Sequence, residues 1–300
     1  MELVGVGDDA IPIVHVWGSP REMGRTLGTL LKEEIHAYCD LVIGLMTQSM
    51  EQDVSVLDQT YATTKSFIPL HFIEEMEGMA EGADIDLQTL IRVNMIGEVS
   101  EWHCSLFVAW GKATASTQSL LQLRALDYEV DAEIQRYPLI VVYHPNEGDG
   151  HAFANFTWTG AVGSVTGMSS IPLAISEIGD DYHQEHDSFE GYPFMFMLRD
   201  ILQFDRSLDE AIARVRKGPR TSSLMYAIGD GNLGQGRALQ TSRIACNVFD
   251  PATLEPLTPT HPRIEDIVYW GMSWNVPQYD QPLHDRSEER RVGKECRSRW

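Results

Sequence analysis

Residues 104–128 read CSLFVAWGKATASTQSLLQLRALDY, two apolar runs joined by a stretch of small and polar residues. Residues 105–110 and 120–123 have the composition of short β-strands. Cys104 opens the first run, and Arg124 and Asp127 follow the second. A cysteine beside apolar residues is most often a core residue. A fixed cation and anion near a thiol, however, favour its reactive form and orient a polar substrate, so this segment makes Cys104 a candidate nucleophile.

Helical patterns precede this segment. Ser19, Pro20 and Glu22 form a helix start signal, and apolar residues recur at helical spacing from there to residue 42. Residues 57–80 predict a second helix, and Asp86 is placed to cap a third. The first hundred residues are therefore expected to be mostly helical.

Short β-like runs follow the segment, with helices between some of them. The predicted strands are residues 138–144, 152–158, 161–166, 173–178, 222–228 and 238–249, and residues 192–204 and 207–216 predict helices. Helices followed by many antiparallel-looking strands favour an α+β fold. No clean split into two domains is visible in the sequence.

Composition and charge exclude several classes of protein. The 300 residues are 43% hydrophobic and 22% charged, which are globular proportions. A net charge of −21 disfavours nucleic acid and anionic membrane surfaces as partners. Residues 1–4 lack the pattern of a secretory signal, no apolar run has the length of a membrane span, and four cysteines are too few for a disulfide scaffold. We therefore expect a cytoplasmic protein with reduced thiols.

The last fifteen residues differ from the rest of the chain. Residues 286–300 hold six basic and three acidic residues without apolar periodicity, and they resemble a vector- or adaptor-derived stretch. We expect a helical region at 1–103, a catalytic region at 104–285 and a non-native tail at 286–300. On this interpretation the natural protein continues past about residue 285.

Two local patterns suggest other chemistry. His183 and His186 lie among carboxylates and could hold a divalent metal, but the stretch lacks hydrophobic support and is more typical of an exposed loop. Gly229, Gly231 and Gly234 match a dinucleotide-binding pattern after a strand. Because an extended segment, not a helix, is predicted after them, we interpret the glycines as a turn.

Several motifs in order carry a family resemblance. Besides Cys104-Ser105 and the Arg124–Asp127 motif, they are residues 18–24 (GSPREMG), 75–82 (EMEGMAEG), 110–114 (WGKAT), 160–169 (GAVGSVTGMS) and 220–223 (RTSS). Over roughly residues 15–275 the chain resembles the N-terminal-nucleophile (Ntn) hydrolase superfamily. It is most similar there to the C45-type autoproteolytic acyltransferase/hydrolase family, which includes penicillin acyl-CoA acyltransferase and is related to bile salt hydrolase.

The resemblance implies a fold and an activity. The fold is an αββα sandwich of two antiparallel sheets between helical layers, here without its C-terminal strands. The activity is hydrolysis or acyl transfer at a linear amide bond of a small-molecule amide or acyl-thioester substrate, through an acyl-thioester and without a metal or other cofactor. Such a chain is a zymogen that cuts itself, here between His103 and Cys104, and the new α-amine serves as the base. A homo-oligomer is compatible with the resemblance.

The resemblance also assigns residue roles, with departures. Arg124 and Asp127 would line the pocket beside Cys104, and Asn155 and Thr260 are candidates for the oxyanion hole or pocket. Relatives often have Gly where this chain has His103, and Asn where it has Ser169 and Thr260. These departures and the unusual end leave two alternatives open: a non-catalytic or truncated relative, or a metal-dependent hydrolase using His183 and His186.

Overall fold

Helices dominate the N-terminal part of the protein. The computed structural model describes residues 1–5, 7, 10–49, 53–100, 103–114, 119–127, 132–180, 184–250 and 264–271. Its α-helices are α1 Pro20–Leu30, α2 Lys32–Gly44, α3 Ser55–Thr64, α4 Leu70–Ala83, α5 Leu87–Val99, α6 Phe194–Phe204 and α7 Leu208–Lys217. The capping box predicted at α1 is present: the Ser19 hydroxyl accepts the Glu22 backbone N–H, and the Glu22 carboxylate accepts the Ser19 backbone N–H.

Four predicted elements differ from the structure. The strand predicted over residues 238–249 is two strands, Gln235–Thr241 and Cys246–Phe249, which pair antiparallel. The first predicted helix is divided at Leu31, which leaves helical geometry with φ −122° between α1 and α2. The predicted helix over residues 57–80 is two helices, α3 and α4, because Pro69 stands between them and a proline disfavours helical geometry in the residue before it. The strand predicted over residues 161–166 lies later, at Thr166–Ser169.

Glycines allow α1 and α4 to pack backbone against backbone. A Cβ at Gly24 would collide with the backbone carbonyl of Glu75, and a Cβ at Gly78 would collide with that of Arg21. Gly28 and Gly82 make equally close approaches one turn further along each helix. Gly24 of the motif at residues 18–24, and Gly78 and Gly82 of the motif at residues 75–82, are therefore explained by this helix contact.

Two sheets are formed by the described strands. The strands are β1 Glu2–Val4, β2 Ile11–Gly18, β3 His103–Ala109, β4 Leu121–Asp127, β5 Pro138–Pro145, β6 Phe153–Trp158, β7 Thr166–Ser169, β8 Leu173–Gly179, β9 Leu224–Asp230, β10 Gln235–Thr241, β11 Cys246–Phe249 and β12 Ile267–Gly271. The large sheet has the order β1-β2-β5-β6-β7-β8-β9-β10-β11, and the small sheet β12-β3-β4. All neighbours are antiparallel except β2 and β5.

The two faces of the large sheet are buried in different ways. One hydrophobic cluster joins α1 to α7 with the strand residues of one face, such as Val141 and Ile175. A second cluster joins β3 and β12 with residues of the opposite face, such as Met225 and Ala238. The described helices contribute to the first cluster and the small sheet to the second. The predicted α+β class with two stacked sheets is therefore confirmed.

A buried ion pair connects the helices to the large sheet. Arg199 of α6 donates from Nη2 to Glu75 of α4 and lies 4.3 Å from the ring centroid of Tyr143. Tyr143 of β5 donates its hydroxyl to the other carboxylate oxygen of Glu75 at 3.0 Å. Because all three side chains are buried, the carboxylate is fully compensated by a cation and a neutral donor.

The glycine-rich stretch after β9 is a turn, as predicted. β9 ends at Asp230 and pairs directly with β10 from Gln235 onward, and Gly234 takes φ +64° between them. Across the described residues, every helix falls short of the length and apolarity that crossing a membrane requires.

Candidate active site

Cys104 is the second residue of β3 and faces the large sheet. It belongs to the cluster between the two sheets together with Leu106 and Val108, which share its face of the strand. Only 3% of the residue is exposed. Because β3 begins at His103, the peptide bond between His103 and Cys104 is the first peptide bond of the strand. A break at this bond would leave residues 104–109 of the strand in place.

Arg124 reaches Cys104 from the neighbouring strand. In the β3–β4 register Cys104 is opposite Leu126 and Leu106 is opposite Arg124, so Arg124 is the diagonal neighbour of Cys104 on the same face. Its Nη2 lies 3.5 Å from the Cys104 Sγ. The structure thus brings together two of the three residues that the sequence predicted to act in concert.

Glu177 also contacts the Arg124 guanidinium, in part through the same Nη2 that contacts Cys104. Nη2 of Arg124 lies 3.2 Å from the Glu177 Oε2, and Nε donates to the Glu177 backbone carbonyl. The β7–β8 register ends at the pair Thr166–Ser176, so Arg124 meets β8 where the β7 ladder has stopped. Burial raises the pKa of the Glu177 carboxyl, and the Arg124 cation opposes that rise.

Asp127 and His103 are directly opposite each other in the backbone ladder. The β3–β4 register pairs His103 with Asp127, which places the backbone of Asp127 across from the predicted cleavage point. Their side chains lie outside the described part of the structure. Thr260 also lies outside the described residues.

Asn155 is placed elsewhere in the fold. It lies two residues after Phe153 in β6 and so points to the same, helix-facing side of the large sheet. Its Nδ2 donates to the Gly163 carbonyl at 2.9 Å, and the residue is fully buried there. Because Cys104 lies in the layer on the other side of this sheet, the structure does not bring Asn155 and Cys104 together.

The histidine loop shows no metal geometry in its described portion. His183 lies outside the described residues, and His186 is an exposed side chain 3.6 Å from the Glu185 carboxylate. Within the described ranges, no three His, Cys, Asp or Glu side chains are grouped as metal ligands.

A cavity of about 770 Å³ lies on the helix side of this site. Glu177 lines it, together with Glu98 at the end of α5 and Asp187 in the loop before α6. Burial raises the pKa of Glu98 to about 7. The Thr221 hydroxyl and the Phe194 backbone N–H oppose this rise, and the neighbouring Asp187 and Glu177 carboxylates add to it. Neither Cys104 nor Arg124 is among the described residues that line the cavity, so the cavity is connected to the thiol only through Glu177 and the Arg124 that it holds.

Sequence reasoning missed Glu98 and Glu177. Each is a single acidic residue in an apolar setting: Glu177 in LAISEIG of β8, and Glu98 in the last turn of α5. A single acidic residue in a buried strand requires a cationic or hydrogen-bonding partner. That requirement is the sequence signal that would have linked Glu177 to Arg124.

The arrangement suits nucleophilic chemistry at sulfur. A guanidinium within hydrogen-bonding distance of a cysteine favours the thiolate, which is the reactive form. Glu177 fixes the guanidinium from two directions, so its position does not depend on solvent. The buried setting strengthens these electrostatic interactions relative to water.

Comparison with known proteins places the chain among relatives of greater length. No family model matches the chain. It is 31% identical to protein dcd1B of Dictyostelium discoideum over 95% of this chain and 61% of that protein, and 35% identical to dcd1A of the same organism over 89% and 67%. It is 24% identical to the N-acylethanolamine-hydrolyzing acid amidase of Cavia porcellus over 68% of this chain and 56% of that enzyme.

Similarity to solved structures is weaker. The N-acylethanolamine-hydrolyzing acid amidase ortholog of Caenorhabditis elegans aligns with a TM-score of 0.41 at 20% identity, over 49% of this chain and 63% of that one. Among the curated relatives, the chain spans roughly two thirds of the length of the dcd1 proteins. Its alignment with dcd1A extends over most of its own length. The chain belongs to the family of the Dictyostelium proteins dcd1A and dcd1B.

Proposed function

We propose that this protein is a cysteine N-terminal-nucleophile hydrolase or acyltransferase that acts on linear amide bonds, with Cys104 as its nucleophile. The observation that carries the proposal is the chain of contacts from the Cys104 Sγ to Arg124 Nη2 and on to Glu177 Oε2. The amidase of Cavia porcellus, an amide hydrolase by name, supports the same reaction class. The ordered motifs shared with C45-type enzymes support it from the sequence.

Maturation would begin with cleavage between His103 and Cys104. This bond lies at the first residue pair of the β3–β4 ladder, so cleavage frees an α-amine without removing a strand from the small sheet. An α-amine has a pKa of about 7.7–8.0 and a free thiol of about 8.5, so near neutrality the amine can accept the thiol proton. Nucleophile and base are then supplied by one residue.

The reaction follows from that pair of groups. The Cys104 sulfur attacks the amide carbonyl and its proton passes to the α-amine. Collapse of the tetrahedral intermediate breaks the C–N bond, the departing amine takes the proton, and the acyl group remains on sulfur as a thioester. Water then releases a carboxylic acid, or a second amine takes the acyl group. Arg124 holds the sulfur in its charged form during the first step.

Trapping the acyl group on sulfur tests the proposal. Purified protein is mixed with 4-nitrophenyl hexanoate and quenched in acid, and the modified peptide is identified by mass spectrometry. We expect one hexanoyl group on Cys104, absent in Cys104→Ala and retained in Cys39→Ala. Cys39 is a suitable control because burial raises the pKa of its thiol to about 12. Acylation of another residue, or an equal yield in Cys104→Ala, contradicts the proposal.

A further inference from the structure

The cavity beside Glu177 is lined by acidic residues, and the proposed reaction does not by itself require them. It lies between α3, the end of α5, the end of β8 and the start of β9. Four acidic residues line it: Asp53, Glu98, Glu177 and Asp187. None of the described residues that line it is Lys, Arg or His.

Only part of this negative charge is compensated. Arg124 pairs with Glu177 from the small sheet, and the Asp187 carboxylate accepts the Ser223 hydroxyl at 2.8 Å. Glu98 accepts the Phe194 backbone N–H through Oε1. A hydroxyl and an amide are neutral donors, and the His186 imidazole, which is not among the residues that line the cavity, also opposes the rise in the pKa of the exposed Asp187 carboxyl. The described lining itself supplies no cation to Glu98 or Asp187.

Two buried polar atoms in the same wall lack a partner at full hydrogen-bond geometry in the described part of the chain, although the Thr221 hydroxyl is close enough to Glu98 to oppose the rise in the pKa of its carboxyl. They are the Glu98 Oε2 and the Thr221 Oγ1, on residues that are 8% and 1% exposed. Because a carboxylate oxygen can accept more than one hydrogen bond, the Glu98 Oε2 has room for a further donor from a ligand in the cavity besides the Thr221 hydroxyl.

Apolar side chains complete the wall and suit a short hydrocarbon chain. Val99, Phe189, Phe194 and Leu224 line the cavity between the acidic residues. A pocket with an apolar wall and a few convergent polar groups is typical of sites for small organic molecules. The acidic groups would repel a carboxylate and attract an ammonium group.

We propose that this cavity binds a primary ammonium group of the substrate, with Glu98 and Asp187 as its counter-charges. The link to the substrate rests on the proposed function, since Glu177 lines the cavity and also holds the Arg124 that contacts Cys104. The substrate class is then an amide that carries a free amino group on a short alkyl chain. Glu98 and Asp187 determine this specificity and take no part in bond cleavage.

Three matched ligands test the proposal by direct binding. Hexylamine, hexanol and sodium hexanoate are titrated calorimetrically into the full chain carrying Cys104→Ala, at about pH 8, where a primary amine is protonated. We expect saturable binding of hexylamine, at least about tenfold weaker binding of hexanol, and no binding of hexanoate. Equal binding of hexanol and hexylamine, or tighter binding of hexanoate, overturns the proposal.

Charge-removing variants locate the site. Glu98→Gln and Asp187→Asn should each weaken hexylamine binding about tenfold, while Glu33→Gln, which makes the same charge change on the exposed side of α2, should leave it unchanged. If one cavity variant does not fold, the other variant and the three-ligand comparison still show whether the cavity binds an ammonium group. An equal effect of Glu33→Gln contradicts the proposal.

The outcomes separate this proposal from the proposed function. If hexylamine binds as expected but Cys104 is not acylated by 4-nitrophenyl hexanoate, the proposed reaction is wrong and the ammonium site stands. If Cys104 is acylated but hexylamine binds no more tightly than hexanol, the ammonium site is wrong and the proposed reaction stands.

Discussion

Arg124 and Glu177 form an ion pair in which only 5% and 4% of the side chains are exposed, with 3.2 Å between Nη2 and Oε2. The pair spans the two sheets, since Arg124 belongs to β4 and Glu177 to β8. Because the same Nη2 lies 3.5 Å from the Cys104 Sγ, the ion pair fixes the cation that contacts the nucleophile.

Removing the carboxylate should be costly. In Glu177→Gln, the buried Arg124 cation loses its carboxylate partner, and we expect the free energy of unfolding to fall by about 3 kcal/mol. Urea unfolding measures the change. The matched control is Glu133→Gln, which breaks the exposed Arg136–Glu133 pair and should cost less than about 1 kcal/mol. Equal losses in the two variants would show that the buried pair has no special role.

Glu98 should make stability depend on pH. Burial raises the pKa of this carboxyl from its usual 4.5 to about 7, so between these values the folded state holds a proton that the unfolded state releases. Stability therefore falls as the pH rises through this window, by about 3 kcal/mol from this group, and changes no further above it.

Glu98→Gln should abolish that part of the pH dependence. The difference in unfolding free energy between Glu98→Gln and the unmodified protein is measured in urea from about pH 4.5 to pH 8. We expect it to move in favour of Glu98→Gln as the pH rises. Glu177 and Asp187, whose pKa values burial also raises, contribute in the same direction to both proteins and cancel to first order. A difference that is constant with pH refutes the assignment.

The contact between α1 and α4 should not tolerate a side chain at its glycines. A Cβ at Gly78 collides with the Arg21 backbone, so Gly78→Ala must force the helices apart, and we expect a loss of about 2 kcal/mol or more. Gly44, at the end of α2, has open space around its Cβ position, and Gly44→Ala should be neutral or stabilising by up to about 1 kcal/mol. Thermal unfolding of both variants tests this contrast, and equal destabilisation would contradict it.

Local signals allowed much of the fold to be predicted from the sequence. The Ser19 capping box, the helix predicted over residues 207–216 and the glycine turn after β9 each depend on residues within a few positions of one another. These three predictions are confirmed, because short-range hydrogen bonds and backbone preferences determine where such helices and turns form. The break at Leu31 was missed, since the helical apolar pattern continues through it.

The candidate site was predictable only where it is local in sequence. Cys104 and Arg124 are close in the chain and on adjacent strands, so their pairing followed from strand geometry. Glu177 and Glu98 approach the site through the stacking of the sheets and the packing of α5, which no local pattern determines. The role of Asp127 and of Thr260 stays a prediction.

Intact-mass spectrometry of freshly purified protein tests the central claim most directly. If Cys104 is an N-terminal nucleophile, the chain should divide between His103 and Cys104 into pieces of 103 and 197 residues, and the larger piece should begin with cysteine. Cys104→Ala should remain a single chain of 300 residues under the same conditions. Persistence of the unbroken chain in the unmodified protein, or cleavage at the same bond in Cys104→Ala, would contradict the account.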